Sequence, residues 1–129
     1  MMKNTLTWFE IPAADLDRAM SYHGTLLNAK LEATTMAGEK SNMKMAMLPY
    51  QQQEGGVGGA LVKSDMHKPA TTGTVVYLDV TGRLDQVLSA VPQQGGMVLM
   101  PKTSLGEHLG HIALMKDTEG NVVGLHDLS

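Results

Sequence analysis

The chain has 129 residues, of which 43% are hydrophobic and 18% charged, and its formal net charge is −3. These values predict one globular domain with a real core rather than a disordered chain. The ten lysines and arginines are scattered, which argues against a nucleic-acid partner, and the absence of cysteine excludes disulfides and thiolate chemistry.

Hydrophobic periodicity predicts two successive runs of one strand, one helix and three strands. The first run begins with the strand Thr5–Ile11, after which Asp15 and Asn28 are the predicted N-cap and left-handed stop of a helix. The apolar face of this helix carries Leu16, Ala19, Met20, His23 and Leu27. A turn around Gly38–Lys40 joins the first two of the three strands that follow, which are Ala29–Met36, Asn42–Leu48 and Val57–Val62.

The second run begins after a loop over Ser64–Thr72 and repeats the same order. Its predicted elements are Thr74–Val80, the helix Leu84–Val91, Met97–Met100, His111–Met115 and Val122–His126. The two halves also match each other in sequence, because Glu54–Gly59 and Glu119–Gly124 share four of six residues. One βαβββ module used twice is therefore predicted within a single domain of residues 1–129, with modules at 4–63 and 73–128.

Two motifs resemble the vicinal-oxygen-chelate superfamily, which includes glyoxalases, bleomycin-resistance proteins and dioxygenases. Phe9–Pro12 followed by Asp15–Ala19 resembles the start of its modules. Lys116–Leu125 is similar to its closing hairpin, in which Gly120 and Asn121 are expected to supply the positive φ angles of a tight turn. The resemblance implies an α+β fold of paired βαβββ modules whose curved mixed sheets form a central cavity, and it implies a homodimer.

The same resemblance indicates where metal-dependent members carry their ligands. Matched by motif, the ligand positions of the first, fifth and last strands fall on Trp8, Val75 and Gly124, and the remaining one falls within Val57–Val62, which has no ligating side chain. None of these groups coordinates a divalent cation. We therefore predict no cofactor, and a divalent metal bound elsewhere is the alternative.

Strand alternation predicts which side chains line the cavity. If the apolar strand residues face the helices, the opposite faces carry five candidates for ligand binding, namely Trp8, Glu10, Tyr77, Asp79 and His126. Such a mixture of aromatic and ionisable groups suits a small-molecule pocket. The competing interpretation is that Glu10, Asp79 and His126 are merely solvated strand ends.

The other histidines receive weaker assignments. His108 and His111 lie among glycines in a predicted loop, and with His126 they form the alternative metal site. His23 is predicted to be a hydrogen-bonded core residue, and His67 receives no role. No serine, histidine and carboxylate set is predicted, since no serine lies at a recognisable nucleophile turn.

Three functions follow from these observations. The first is a metal-independent small-molecule binding protein, similar to antibiotic-sequestering members of the superfamily, in which aromatic rings stack on the ligand and carboxylates pair with its charge. The alternative is a lyase, isomerase or dioxygenase with a relocated metal or acid–base site. The third is a module whose sheets serve dimerisation alone. With no signal-peptide-like run and no stretch approaching about 18 apolar residues, we expect a cytoplasmic protein without a membrane partner.

Overall fold

The computed structural model describes residues 4–35 and 43–129, which form two four-stranded sheets and two α-helices. In chain order the elements are β1 (Trp8–Pro12), α1 (Leu16–Leu27), β2 (Ala33–Thr35), β3 (Lys44–Met47), β4 (Gly58–Lys63), β5 (Tyr77–Asp79), α2 (Leu84–Gln93), β6 (Met97–Ser104), β7 (His111–Lys116) and β8 (Val122–Asp127). A short 3-10 helix, Gln52–Glu54, precedes β4. The predicted α+β class and the repeated βαβββ order are confirmed. The predicted turn around Gly38–Lys40 and the predicted strand ends Met36 and Asn42 lie outside the described residues.

The two sheets have the same topology. Their strand orders are β1-β4-β3-β2 and β5-β8-β7-β6, so the first and last strands of each run are neighbours. Those neighbours, β1 with β4 and β5 with β8, run parallel, and all other pairs are antiparallel. Each half of the chain therefore places the start of its first strand beside the start of its last strand.

Helix α1 begins and ends at the residues that the sequence predicts. The side chain of Asp15 accepts a hydrogen bond from the backbone N–H of Arg18 at 3.0 Å, as an N-cap does. Asn28 adopts the left-handed conformation, with φ 53° and ψ 47°, and its N–H bonds to carbonyls of the last turn. These caps set the two ends of α1, and the helical spacing of its apolar residues sets which face is buried.

One hydrophobic core joins the two halves. It contains residues of both helices and both sheets, including Ile11, Ala19, Leu26, Leu61, Val87, Val91, Val123 and Leu125, each at most 2% exposed. Burying a large aliphatic side chain of this kind stabilises a fold by about 1.5–3 kcal/mol. Among the described residues, the only other core cluster contains just Met45, Ala60 and Val62, so the two halves share their main core.

A turn at residues 117–121, here called the closing turn, joins β7 to β8 and holds a buried polar cluster. The Asp117 carboxylate accepts hydrogen bonds from His23 Nε2 at 3.0 Å and from the backbone N–H groups of Glu119 and Asn121 at 2.9 Å each. His23 is fully buried, as predicted, and its Nδ1 has no hydrogen-bond partner among the described residues. The closing turn thus anchors α1 from the opposite half of the chain.

The closing turn departs from the sequence prediction at one residue. Gly120 has the expected positive φ of 94°, but Asn121 does not have a positive φ. Its side chain instead donates to the carbonyl of Pro12 at 2.7 Å and to Asp117 at 3.2 Å. The Asn121 side chain therefore ties the closing turn to β1 by hydrogen bonding, and the backbone conformation at this position does not require asparagine.

Glu119 extends this connection to the first turn of α1. Its Oε1 accepts from the backbone N–H groups of Ala14 and Asp15 at 2.9 and 2.8 Å, and its Oε2 accepts from Arg18 Nε at 2.7 Å. Burial alone would raise the pKa of the Glu119 carboxyl, but the hydrogen bonds from Arg18 and Asp15 hold this pKa below its ordinary value. The carboxylate is therefore charged where it meets the positive end of the helix.

Candidate functional site

The outer face of each sheet, which points away from the helices and the shared core, carries aromatic rings above a glycine. In the first half, the strand register places Trp8 beside Gly58. A Cβ atom at Gly58 would lie 3.1 Å from Trp8 Cζ3 and 2.9 Å from Tyr50 Cζ, so both rings cover this glycine. We call Trp8, Tyr50 and Gly58 the first aromatic site. The indole is 39% exposed and is available to a ligand.

The second half repeats this arrangement. Tyr77 of β5 pairs with Gly124 of β8, which in turn pairs with Leu114 of β7. A Cβ atom at Gly124 would overlap the Tyr77 ring, so the ring lies flat over the glycine. We call Tyr77 and Gly124 the second aromatic site. Tyr77 is 45% exposed.

The register corrects the internal alignment made from sequence. That alignment matched Gly59 to Gly124, but Gly59 pairs with Phe9 and faces the core beneath the Phe9 ring. Gly58, on the outer face, is the structural counterpart of Gly124. The sequence alignment is wrong by one residue, and a shift of one residue in a strand moves a side chain to the other face.

A carboxylate follows each exposed ring by two residues on the same face. Trp8 Nε1 donates to Glu10 Oε2 at 3.2 Å, which fixes the indole. Asp79 Oδ1 accepts from the backbone N–H and the hydroxyl of Thr81 at 3.0 and 2.6 Å. His126 is the register partner of Asp79, but its Nε2 donates to the carbonyl of Leu109 at 2.8 Å. No hydrogen bond between described atoms joins Asp79 to His126 as an acid–base pair.

The five predicted side chains do not converge on one cavity. Tyr77 and Asp79 line a cleft of about 540 Å³ between the two halves, together with Phe9, Tyr50 and Arg83. Glu10 lines a smaller cavity of about 210 Å³. Trp8 and His126 line neither. Alternation along a strand predicts which face of its own sheet a side chain lies on. It does not predict which side chains of two separate sheets line the same cavity.

The residues present do not fit the metal site that the superfamily implies. The positions matched from sequence are Trp8, Val75 and Gly124, but Val75 precedes β5, and the residue of β5 that lies beside Gly124 is Tyr77. The fourth strand offers Gly58 on its outer face, beneath the aromatic rings. Across residues 4–35 and 43–129, no three histidine or carboxylate side chains lie close enough to hold an ion. Neither the inherited site nor a replacement for it is formed there.

The alternative metal site at His108, His111 and His126 is not assembled. Ile112, and not His111, pairs with His126, so His111 and His126 point to opposite faces of the sheet. His108 lies in the loop before β7 with φ 70° and its side chain is 92% exposed. The predicted loop is present, but it does not bring the three imidazoles together.

The structure also contains a chain of three polar residues that sequence reasoning missed. Ser64 Oγ lies 2.6 Å from His67 Nδ1, and His67 Nε2 lies 2.8 Å from Glu10 Oε1. Because the carboxylate can only accept, Nε2 carries a proton, and in the neutral ring Nδ1 then accepts from the Ser64 hydroxyl. The hydrogen bond from His67 holds the pKa of Glu10 below its ordinary value despite partial burial.

The sequence interpretation considered Ser21 and Ser89 and found no nucleophile turn, so it did not identify Ser64, His67 and Glu10 as hydrogen-bonded partners. The available signal was the three-residue spacing of Ser64 and His67, which lets them close a turn. The carboxylate could not have been found this way, because Glu10 is 57 residues away in sequence.

Comparisons with known proteins agree with this fold. No family profile matches the chain. A "Glyoxylase-like domain-containing protein" of Didymella fabae is 27% identical over 124 residues, which covers 94% of this chain and 91% of that protein. The fosfomycin resistance protein FosX of Listeria monocytogenes, solved as a mutant with Mn(II) and a dihydroxypropylphosphonic acid, superposes with a TM-score of 0.66 at 13% identity, covering 100% of this chain and 95% of FosX.

A glyoxalase/bleomycin resistance protein from Albidiferax ferrireducens superposes equally well, with a TM-score of 0.65 at 13% identity and coverage of 96% and 98% of the two chains. These structures share the fold, and the relative from Didymella fabae adds a sequence match along nearly the whole chain. Together they support the predicted resemblance to the vicinal-oxygen-chelate superfamily: the chain has the fold of these structures and is similar in sequence to a glyoxylase-like protein. None of the helices in the described part of the chain is long and apolar enough to cross a membrane.

Proposed function

We propose that this protein binds a planar small molecule without a metal ion, in the cleft between its two halves. The observation that supports this proposal is that exposed aromatic rings cover the outer-face glycines in strands where metal-dependent members carry ligands. Tyr50 of the first aromatic site and Tyr77 of the second line the same cleft. Aromatic side chains present a large flat surface at little conformational cost, which suits them to stacking on a planar ligand.

The size of the cleft and one free hydrogen-bond acceptor support the same ligand class. Its volume of about 540 Å³ lies within the range of about 300–1,000 Å³ that is usual for small-molecule sites. Asp79 is exposed, and only its Oδ1 is hydrogen-bonded within the described residues. The free Oδ2 favours a ligand with a hydrogen-bond donor at its edge, and Arg83 in the same cleft offsets the charge of Asp79.

The first prediction concerns Trp8, the single tryptophan of the chain, which contacts the same glycine as Tyr50. Titration with planar heteroaromatic compounds is expected to quench or shift Trp8 fluorescence saturably. Tyr77→Ala should weaken this binding by about tenfold, or about 1.4 kcal/mol, because it removes one ring of the cleft. Tyr77→Phe is the matched control, and it should bind within about threefold of the wild type because the stacking ring remains.

Two outcomes would contradict this proposal. One is ligand binding that Tyr77→Ala does not weaken, since Tyr77 lines the cleft. The other is binding that disappears with a chelator, or retention of about one ion per chain after loading with Ni²⁺, Zn²⁺, Mn²⁺ or Fe²⁺ and exhaustive dialysis. Absence of both leaves metal-free binding as the explanation.

We also propose that the protein is a homodimer, as its resemblance to the superfamily implies. The edge strand β6 presents Met97, Val98 and Leu99 at 52%, 36% and 46% exposure, and exposed apolar edge strands are sites of chain pairing. Sedimentation velocity at micromolar concentration is expected to give twice the chain mass of 13.8 kDa. Leu99→Glu should shift the protein towards monomer, whereas a monomer in the wild type at all concentrations would contradict the proposal.

A further inference from the structure

We propose that Ser64 is the nucleophile of a second site, which hydrolyses carboxylic esters that carry a negative charge. Ser64, His67 and Glu10 form a continuous hydrogen-bonded chain. Ser64 and His67 line a cavity of about 540 Å³ that shares no residue with the cleft between Tyr50 and Tyr77. This activity goes beyond the proposed ligand binding and does not depend on it.

The hydrogen bonds give Ser64, His67 and Glu10 each a defined role. Ser64 Oγ is 2.6 Å from His67 Nδ1, which is the distance that proton transfer from a nucleophile to a general base requires. Glu10, 2.8 Å from His67 Nε2, sets the tautomer in which Nδ1 is free to take that proton, and it stabilises the imidazolium that forms. The His67 and Glu10 side chains are 17% and 34% exposed, so the pair is partly shielded from water.

The charges around the cavity indicate the substrate class. Three lysines, Lys44, Lys63 and Lys68, line it with one carboxylate, Asp65. The excess of positive charge attracts an anionic group of the substrate, such as a carboxylate or a phosphate. It also stabilises the negative charge that develops on the ester carbonyl oxygen during the reaction. A neutral ester would gain only the second of these effects.

The reaction is balanced with water as the co-reactant. Ser64 Oγ forms a bond to the carbonyl carbon while its proton passes to His67 Nδ1. Cleavage of the carbon–oxygen bond to the leaving group then releases an alcohol, which takes that proton. Water attacks the acylated Ser64, one of its protons returns through His67 to Oγ, and the acid departs. Ester and water thus give carboxylic acid and alcohol, with Ser64, His67 and Glu10 regenerated.

A purely structural role for the same atoms is the competing explanation. Ser64 Oγ also accepts the Met66 backbone N–H at 3.1 Å, and the Ser64 carbonyl accepts the His67 N–H at 3.3 Å, so these residues close a turn. A purely structural turn requires neither a reactive Ser64 hydroxyl nor the hydrogen bond between His67 and Glu10. Covalent labelling and turnover therefore separate the two roles.

The test compares labelling and turnover in the wild type and four variants. A fluorophosphonate probe is expected to give a single adduct that peptide mapping places on Ser64. Mono-p-nitrophenyl succinate, which is anionic, should be turned over repeatedly and at least tenfold faster than neutral p-nitrophenyl acetate. Ser64→Ala should lose both signals, and Ser89→Ala, an exposed serine on α2, is the matched control that should retain them.

The remaining variants keep the proposal falsifiable if Ser64→Ala disturbs the turn. Glu10→Gln leaves the hydrogen bonds of that turn intact, and it should lower the labelling rate by at least tenfold and change its pH profile. Lys68→Gln should lower the ratio of the turnover rate of the anionic ester to that of the neutral ester. Adducts confined to lysines, equal turnover by Ser64→Ala and wild type, or labelling unchanged by Glu10→Gln would each overturn the proposal.

Discussion

Replacing Asp117 with alanine is expected to destabilise the protein by about 3–5 kcal/mol, the cost of removing one partner from a buried ion pair or its equivalent. The carboxylate is buried and accepts from His23 and from two backbone N–H groups of the closing turn. Burial alone would raise the pKa of Asp117, but the hydrogen bonds from His23 and Asn121 hold it below its ordinary value. Without this carboxylate, both ring nitrogens of His23 would be buried and unpaired.

Urea denaturation followed by circular dichroism measures this loss as a lower transition midpoint at unchanged slope. Asp85→Ala is the matched control, because Asp85 is a carboxylate whose side chain is 77% exposed and whose pairing with Lys102, at 3.5 Å, is a surface contact. Its effect should stay within about 1 kcal/mol. If Asp117→Ala proved no more destabilising than Asp85→Ala, the closing turn would not be the anchor described above.

Truncation of Leu125 to alanine should destabilise both halves of the chain together, by about 2–5 kcal/mol. Leu125 is fully buried on β8, in the core cluster that also contains Ile11 and Leu26 of the first half. The cavity left by the mutation would therefore weaken packing across the boundary between the halves. Trp8 lies in the first half, and so its fluorescence reports unfolding at a distance from the substitution.

The measurement is a pair of denaturation curves for each variant, one from Trp8 fluorescence and one from circular dichroism. The two curves are expected to coincide in the wild type and to shift together in Leu125→Ala, as a two-state transition requires. Leu128→Ala, with the same chemical change at a site 58% exposed, should move neither curve by more than about 0.5 kcal/mol. A Trp8 transition unaffected by Leu125→Ala would show that the halves unfold separately.

Most of the fold could be predicted from local sequence, because its signals are local. The caps of α1, Asp15 and Asn28, act within one helical turn of themselves, and the strands were found from alternation. Strand ends were less accurate. The predicted first strand begins at Thr5, but pairing begins only at Trp8, because the partner strand β4 starts at Gly58. The extent of a strand depends on its neighbour and not on its own residues.

The candidate site was predicted less completely, because it is built from residues distant in sequence. Alternation placed Trp8 and Tyr77 on the outer faces, and the structure agrees. Tyr50 could not be predicted in the cleft, since it comes from a segment before β4 with no regular pattern. Glu10, the carboxylate partner of His67, could not be predicted for the same reason. The predicted metal site with His111 and His126 does not form because the strand register places these two side chains on opposite faces of the sheet.

The closing turn also sets when this protein can fold as it leaves the ribosome. His23 is separated from Asp117 by 94 residues, and Arg18, in the first turn of α1, is separated from Glu119 by 101. At a synthesis rate of about 5–20 residues per second, α1 emerges roughly 5–20 s before its polar partners exist. During that interval its apolar face has no cover from the second half. The native contacts of the first half therefore depend on translation that has not yet taken place.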